Sequence, residues 1–151
     1  MERISYQELP QDLFSGMLKT EEKLRDSGIS TKELELMRYR ASQINNCAYC
    51  LDMHFKEATH AGESPLRLYS VSAWREAPYY SEREQAMLAM AEALTLLPEE
   101  GIHEALYEEL QKHFSKAEIA NLALAVAQIN SWNRLVNCFK FTPGNYEVGQ
   151  H

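Results

Sequence analysis

The sequence predicts an all-α fold, a single-domain helical bundle of about six to seven helices over residues 1–151. Apolar residues recur three and four positions apart through most of the chain, which is the spacing of one helix face. No segment shows the strict alternation of apolar and polar residues that is typical of a half-buried strand. Three Ser-x-x-Glu capping boxes, at residues 30–33, 81–84 and 115–118, further predict helix starts.

The first half of the chain contains three predicted helices. The first covers residues 10–27 and ends before Gly28, a natural helix stop. The second begins at the first capping box and ends at Asn45 and Asn46, because asparagine tolerates turn conformations. The third covers residues 48–61 and ends before a glycine.

Four more helices are predicted in the second half. A short one begins at the Ser-Pro pair of residues 64–65 and is interrupted by a second proline at residues 77–78. The fifth helix begins at the second capping box and ends at Pro98, and the sixth covers residues 102–113. The seventh begins at the third capping box and ends near Lys140. It is apolar on much of its circumference, which predicts a helix that is central in the core or shared with another subunit. The residues after it are predicted to form a polar tail.

Composition and charge limit the classes of partner. The 45% apolar and 25% charged fractions are those of an ordinary globular protein. The formal net charge of −7 argues against an extended nucleic-acid-binding surface. The apolar run at residues 119–129 is too short to span a bilayer, and the N-terminal residues lack the apolar core of a signal peptide. We therefore expect a cytoplasmic protein with no nucleic-acid or membrane partner.

The chemistry of the chain is concentrated in one stretch that contains Cys47, Cys50 and His54. Positions three and four apart share a helix face, so a helix that begins near Cys47 places all three side chains along one stripe. A helix N-terminus favours the negative charge of a thiolate, and an imidazole one turn further on can accept the thiol proton. Three cysteines do not make an even disulfide framework, and Cys-x-x-Cys in a chain without an export signal indicates redox or metal chemistry.

With Glu35, these residues form a pattern that resembles the active site of a known family. Glu35, eleven residues, Cys47, two residues, Cys50, three residues and His54 is similar to the pattern of the alkyl hydroperoxidase D-like proteins of the carboxymuconolactone decarboxylase superfamily. A second stretch, residues 128–135, resembles a motif in a late helix of the same group. The resemblance covers roughly residues 34–139.

The resemblance implies a thiol-dependent peroxidase with a peroxiredoxin-type activity. It makes Cys50 the nucleophile and Cys47 the resolving thiol, with His54 and Glu35 as a proton relay that ionises Cys50. The helix dipole alone favours the more N-terminal Cys47 as the attacking thiol, so the order of attack remains open from the residues themselves. The expected partners are a peroxide substrate, a dithiol or disulfide-reductase electron donor, and further copies of the chain in a trimer or hexamer. No bound cofactor or metal is implied.

One position departs from the family pattern. Some family members carry a histidine directly before the second cysteine, where this chain has Tyr49. Tyrosine is uncharged at neutral pH and cannot stabilise a thiolate as an imidazolium can. Arg38 and Arg40 are candidates to supply positive charge instead. The third cysteine, Cys138, is expected to be a buried structural thiol.

Two other classes of function compete with the peroxidase. Cys47, Cys50 and His54 could bind zinc, with Glu35 or His60 as a fourth ligand. Structural zinc sites usually join two ligand pairs from separate segments, and only one pair is evident here. A lyase activity like the one that names the superfamily is the other alternative, but those decarboxylases are not built on a Cys-x-x-Cys pair.

Overall fold

The computed structural model describes residues 2–150, and over these residues it contains seven α-helices, two 3-10 helices and no β-strand. The α-helices are α1 (Gln11–Leu24), α2 (Thr31–Ile44), α3 (Ala48–His60), α4 (Pro65–Ser70), α5 (Glu82–Leu96), α6 (Glu104–His113) and α7 (Lys116–Phe139). The 3-10 helices are Tyr6–Glu8 and Val71–Ala73. The predicted all-α bundle is therefore confirmed. The single-domain prediction, which also includes Met1 and His151 outside the described residues, stays a prediction.

Helix starts follow the local signals closely. All three predicted capping boxes form: in each, the glutamate N–H donates to the serine Oγ at 3.2 Å, and the serine N–H donates to the glutamate carboxylate at 2.8 or 2.9 Å. Arg83 of α5 then joins two of these boxes, because its guanidinium donates to Glu33 at 2.7 Å and to Glu118 at 3.3 Å. The starts of α2, α5 and α7 are thereby held together at one end of the bundle.

The core is built around α2 and α7. Helix α7 packs against α1, α2, α3, α5 and α6, so most of its apolar circumference is covered within the chain. Leu124 is an exception, with 49% of its surface exposed. Among residues 2–150, no helix combines the length and apolarity needed to cross a bilayer.

Two expectations about the end of the chain are wrong. Cys138 is exposed rather than buried, because it lies on the outer face of α7. The segment after α7 is not merely a polar tail, since Tyr146 is buried and the segment is bonded to α3. Gly144 N–H donates to the Asp52 carboxylate at 2.9 Å, and Lys56 Nζ donates to the Tyr146 carbonyl at 2.9 Å.

A buried amide network fixes the end of α2 against α7. Asn45 Nδ2 donates to Asn130 Oδ1 at 2.9 Å and to Asn133 Oδ1 at 2.8 Å. Asn133 is fully buried, and its own Nδ2 donates to Ser42 Oγ at 3.1 Å. Because Asn45 is the C-terminal cap of α2, these bonds also fix the turn that leads into α3.

We predict that Asn133→Ala lowers the free energy of unfolding by about 1–3 kcal/mol, because it leaves Asn45 and Ser42 with fewer buried partners. Chemical denaturation measures this change. Ser131→Ala is the matched control: Ser131 is exposed on the same helix and bonds only to a carbonyl one turn back. Equal stability of the two variants would contradict a stabilising network.

Candidate active site

The two cysteines of the motif lie at the start of α3. Cys47 is the N-terminal cap, with extended backbone at φ −94° and ψ 94°, and Cys50 lies in the first turn. The chain enters this cap through Asn46, whose φ of 51° is a left-handed conformation that asparagine adopts more readily than most residues. The sulfurs of Cys47 and Cys50 are joined in a disulfide with a Cα–Cα distance of 5.3 Å. Each cysteine is only 1% exposed.

The surroundings of the disulfide are apolar. Val136 of α7, Tyr49 and Phe141 pack against the two cysteines. The rings of Tyr49 and Phe141 meet edge to face, with their centroids 5.3 Å apart. Apolar burial raises the pKa of a free thiol, so a reactive thiolate in this position needs a neighbouring group that promotes its ionisation.

His54 lies one turn after Cys50 on the same face of α3, a spacing that puts the two Cβ atoms roughly 5–6 Å apart. The His54 side chain is buried, and its Nδ1 lies 2.6 Å from Glu35 Oε2 on α2. An ionised carboxylate can only accept hydrogen bonds, so Nδ1 of His54 must carry the proton that is donated in this pair. The other ring nitrogen, Nε2, is buried and makes no hydrogen bond within the described residues. Nε2 is therefore the ring atom at which His54 can take up a further proton.

Glu35 is ionised in this environment. Burial raises its pKa, but the charge and hydrogen bond of His54, followed by those of Arg38, outweigh the burial and lower the pKa to about 2. Arg38 Nη1 donates to Glu35 Oε1 at 2.7 Å, and Arg38 Nη2 donates to Glu21 of α1 at 2.5 Å. A carboxylate with so low a pKa holds an imidazolium in place well, but it retains a proton poorly at neutral pH.

The structure thus brings the four predicted site residues together as two pairs. Cys47 and Cys50 are bonded to each other, Glu35 and His54 are bonded to each other, and α3 carries a member of each pair. Arg38, one of the two arginines considered as a charge donor, acts on Glu35. Arg40, the other, donates instead to Glu92 at 2.8 Å and to Gln43 at 3.1 Å.

The zinc interpretation has no preformed ligand cluster in the part of the chain that the structure describes. Over residues 2–150, no three or more His, Cys, Asp or Glu side chains are grouped to hold a metal ion. His60, the proposed alternative fourth ligand, is exposed at the end of α3.

Sequence reasoning missed several residues that position the site. The bond from Arg38 to Glu35 has a local signal, since opposite charges three apart on a helix often pair. Glu21 and Phe141 have no such signal, because each reaches the site from a distant part of the chain, whereas Asn130 lies within residues 128–135, the stretch that resembles a family motif.

Known proteins resemble this chain in sequence and in fold. The sequence profile of the carboxymuconolactone decarboxylase family matches residues 11–93. The uncharacterized protein YdfG of Bacillus subtilis (strain 168) is 37% identical over 134 residues, which are 89% of this chain and 91% of YdfG.

Two solved structures share the fold. The first, from Agrobacterium tumefaciens, is a protein of unknown function proposed to be the antioxidant defence protein AhpD; it is 36% identical, with a TM-score of 0.90 over 97% of this chain and all of the other. The second is an uncharacterized peroxidase-related protein from Silicibacter sp. TM1040, 26% identical, with a TM-score of 0.80 over 92% of this chain and 74% of the other. With the family profile and the all-helical fold, these likenesses show that the chain belongs to the carboxymuconolactone decarboxylase family and has an alkyl hydroperoxidase D-like fold.

Proposed function

We propose that this protein is a thiol-dependent peroxidase in which Cys47 and Cys50 cycle between dithiol and disulfide. The observation that carries the proposal is the His54–Glu35 pair, buried one helical turn from a bonded cysteine pair. This arrangement supplies a proton acceptor for a thiol together with a carboxylate that stabilises the resulting imidazolium. The peroxidase-related relative from Silicibacter and the proposed antioxidant protein from Agrobacterium support the same class of reaction.

In the proposed cycle, the Cys50 thiol transfers its proton to His54 Nε2. The thiolate attacks the terminal oxygen of a peroxide R–O–OH and the O–O bond breaks. The leaving alkoxide takes the proton from His54 to become an alcohol, and Cys50 becomes a sulfenic acid. Cys47 then attacks the Cys50 sulfur, so that the disulfide forms and water leaves. The two thiols have supplied the two electrons that reduce the peroxide.

Glu35 acts as a positioning residue in this mechanism. Its low pKa keeps it as a carboxylate throughout the cycle, so the proton remains on His54 between the two steps. The bond to Nδ1 directs Nε2 towards proton transfer, as a carboxylate does in a hydrolase triad. Because Tyr49 contributes no positive charge, we propose that His54 and the start of α3 provide most of the stabilisation of the thiolate.

Reduction of the disulfide requires an external dithiol. A donor thiolate that attacks Cys47 expels Cys50 as the leaving thiolate, beside His54, and a thiol with a lower pKa leaves faster. Attack on Cys50 would instead expel Cys47, which has no imidazole one turn further along the helix. We propose that Cys47 is the point of attack, which returns Cys50 to its reactive state.

We also propose that the chain forms a homotrimer or hexamer. Most of α7 is covered within the chain, so the apolar side chains available for a subunit contact lie mainly elsewhere and include Leu13, Leu66 and Leu97, each more than half exposed. Light scattering of the purified protein at micromolar concentration should give a mass of three or six chains. A monomer would contradict the proposal.

We expect the single cysteine variants to separate the two thiols. Cys47→Ser should consume about one equivalent of organic peroxide and then stop, because Cys50 is oxidised but not resolved. Cys50→Ser should consume none. Cys138→Ser is the control and should turn over like the parent, because Cys138 lies outside the pair. Peroxide consumption measured in a stopped-flow assay distinguishes these cases, and the reverse result for Cys47 and Cys50 would make Cys47 the nucleophile.

Glu35→Gln should slow peroxide turnover at least about tenfold, because the neutral amide no longer stabilises the His54 imidazolium. The pH midpoint of Cys50 alkylation should also rise, since the thiolate–imidazolium pair becomes less favourable.

Glu92→Gln is the matched control for loss of a buried, ion-paired carboxylate. Glu92 is also a buried carboxylate, but it binds Arg40, Arg75 and Trp74, none of which is bonded to Glu35, His54 or the cysteine pair. This variant should lose stability and keep its turnover per folded molecule. If Glu35→Gln behaves in the same way, Glu35 is only structural.

A further inference from the structure

A cleft of about 520 Å³ lies next to the disulfide and takes no part in the mechanism described above. It is formed by the residues before α1, by Tyr49 of α3 and by the segment after α7. Four of its lining residues are aromatic: Tyr6, Tyr49, Phe141 and Tyr146. Its volume is within the range of sites that bind small organic molecules.

The cleft and the disulfide share a wall. Tyr49 and Phe141 line the cleft, and the same two side chains pack against Cys47 and Cys50. Tyr49 directly precedes Cys50 in the chain, so a molecule in the cleft would contact two residues that also cover the thiol pair. Because both cysteines are almost completely buried, a substrate must pass the residues that cover them, and two of those residues line the cleft.

Hydrogen bonds hold both sides of the cleft in place. On the C-terminal side, the Tyr146 hydroxyl donates to the Glu57 carboxylate, and Lys56 Nζ donates to the Tyr146 carbonyl at 2.9 Å. On the N-terminal side, the Arg3 N–H donates to the Phe139 carbonyl at 2.8 Å. The cleft is therefore a built feature of the fold rather than a gap between loose segments.

The lining combines aromatic rings with the neutral polar side chains of Gln7, Thr142, Asn145 and Gln150. Aromatic rings make favourable edge-to-face and offset contacts with other rings. Among the described residues that line the cleft, Glu2 is the single one with a charged side chain, and its charge is negative. Such a lining suits a neutral aromatic molecule with a polar end, and the negative charge of Glu2 disfavours a ligand that is itself a carboxylate.

We propose that this cleft binds the organic group of a neutral aromatic hydroperoxide and directs its O–OH end to Cys50. The inference rests on the proposed peroxidase function and adds the class of substrate. The reaction is the one described above: the Cys50 sulfur bonds to the terminal oxygen, the O–O bond breaks, and the alkoxide gains a proton to become an aromatic alcohol. Hydrogen peroxide reacts at the same sulfur but has no group to fill the cleft.

The first test measures binding without turnover. Cumyl alcohol, the product of cumene hydroperoxide, is titrated into the oxidised protein and followed by amide NMR shifts. Shifts should concentrate at Tyr49, Phe141 and Tyr146, and benzoate should bind more weakly than cumyl alcohol. No binding, shifts confined to another surface, or stronger binding of benzoate would overturn the inference.

The second test compares kcat/KM for cumene hydroperoxide and hydrogen peroxide with one dithiol donor. Tyr6→Ala should lower the ratio of the two values about 5- to 10-fold, because it removes one aromatic wall of the cleft. Asn145→Trp should lower the ratio as well, by filling the cleft from an exposed position without removing a core side chain. Tyr79→Ala, which removes a partly exposed tyrosine outside the cleft, is the control and should leave the ratio unchanged.

The two proposals fail in different ways. Turnover of both peroxides with a ratio that neither Tyr6→Ala nor Asn145→Trp alters would overturn the substrate assignment and leave the peroxidase intact. No turnover of either peroxide would refute the proposed function and with it the substrate role of the cleft. The binding titration measures whether the cleft binds an aromatic alcohol and does not depend on activity.

Discussion

The hydrogen bond between His54 Nδ1 and the Glu35 carboxylate is the interaction on which the site depends. It joins α2 to α3 inside the protein, at 2.6 Å, and it determines which nitrogen of the imidazole is already occupied. Because of this bond, the position of His54 depends on how α2 packs against α3. A shift of α2 against α3 would move Nε2 relative to Cys50 and so affect the proposed proton transfer. Fold and site therefore share one constraint.

Burying that pair requires further charges to accompany it. A buried carboxylate without partners is strongly disfavoured, whereas one with opposite charges on both sides is tolerated. The structure meets this requirement with an alternating chain in which Glu21, Arg38, Glu35 and His54 follow one another, each bonded to the next. This series of charged side chains extends the site to α1, whose sequence does not predict a role in the site. It also explains why Glu35 remains ionised despite its burial, since Arg38 and His54 both stabilise the negative charge.

The parts of the protein that could be predicted from the sequence are those set by neighbouring residues. The capping boxes, the break at Asn45 and Asn46, and the stripe of Cys47, Cys50 and His54 all depend on contacts within one or two turns. The features that could not be predicted involve contacts between distant residues or depend on the direction in which a residue points around its helix. Asn45 bonds to Asn133, which lies 88 positions later in the chain, and no pattern in either segment predicts this pairing. Cys138 has buried neighbours at Val136 and Phe139, but 100° of rotation per residue turns it to the outer face of α7. The many polar residues after α7 predict an exposed tail, but the two aromatic residues of that segment, Phe141 and Tyr146, pack against the rest of the protein.

The apolar residues that cover the disulfide have two opposite effects on the stability of a thiolate at Cys50. Val136, Phe141 and Tyr49 exclude water, which disfavours a thiolate at Cys50. The same exclusion lowers the local dielectric, so that the imidazolium held by Glu35 and the start of α3 act more strongly on that thiolate than they would in water. A covered sulfur is also protected from further oxidation while the sulfenic acid waits for Cys47. Reactivity at such a site depends on which molecules can pass the cover as much as on the thiol itself. Since Phe141 packs against the cysteine pair and belongs to the segment bonded along α3, that segment is part of the candidate site as well as of the fold.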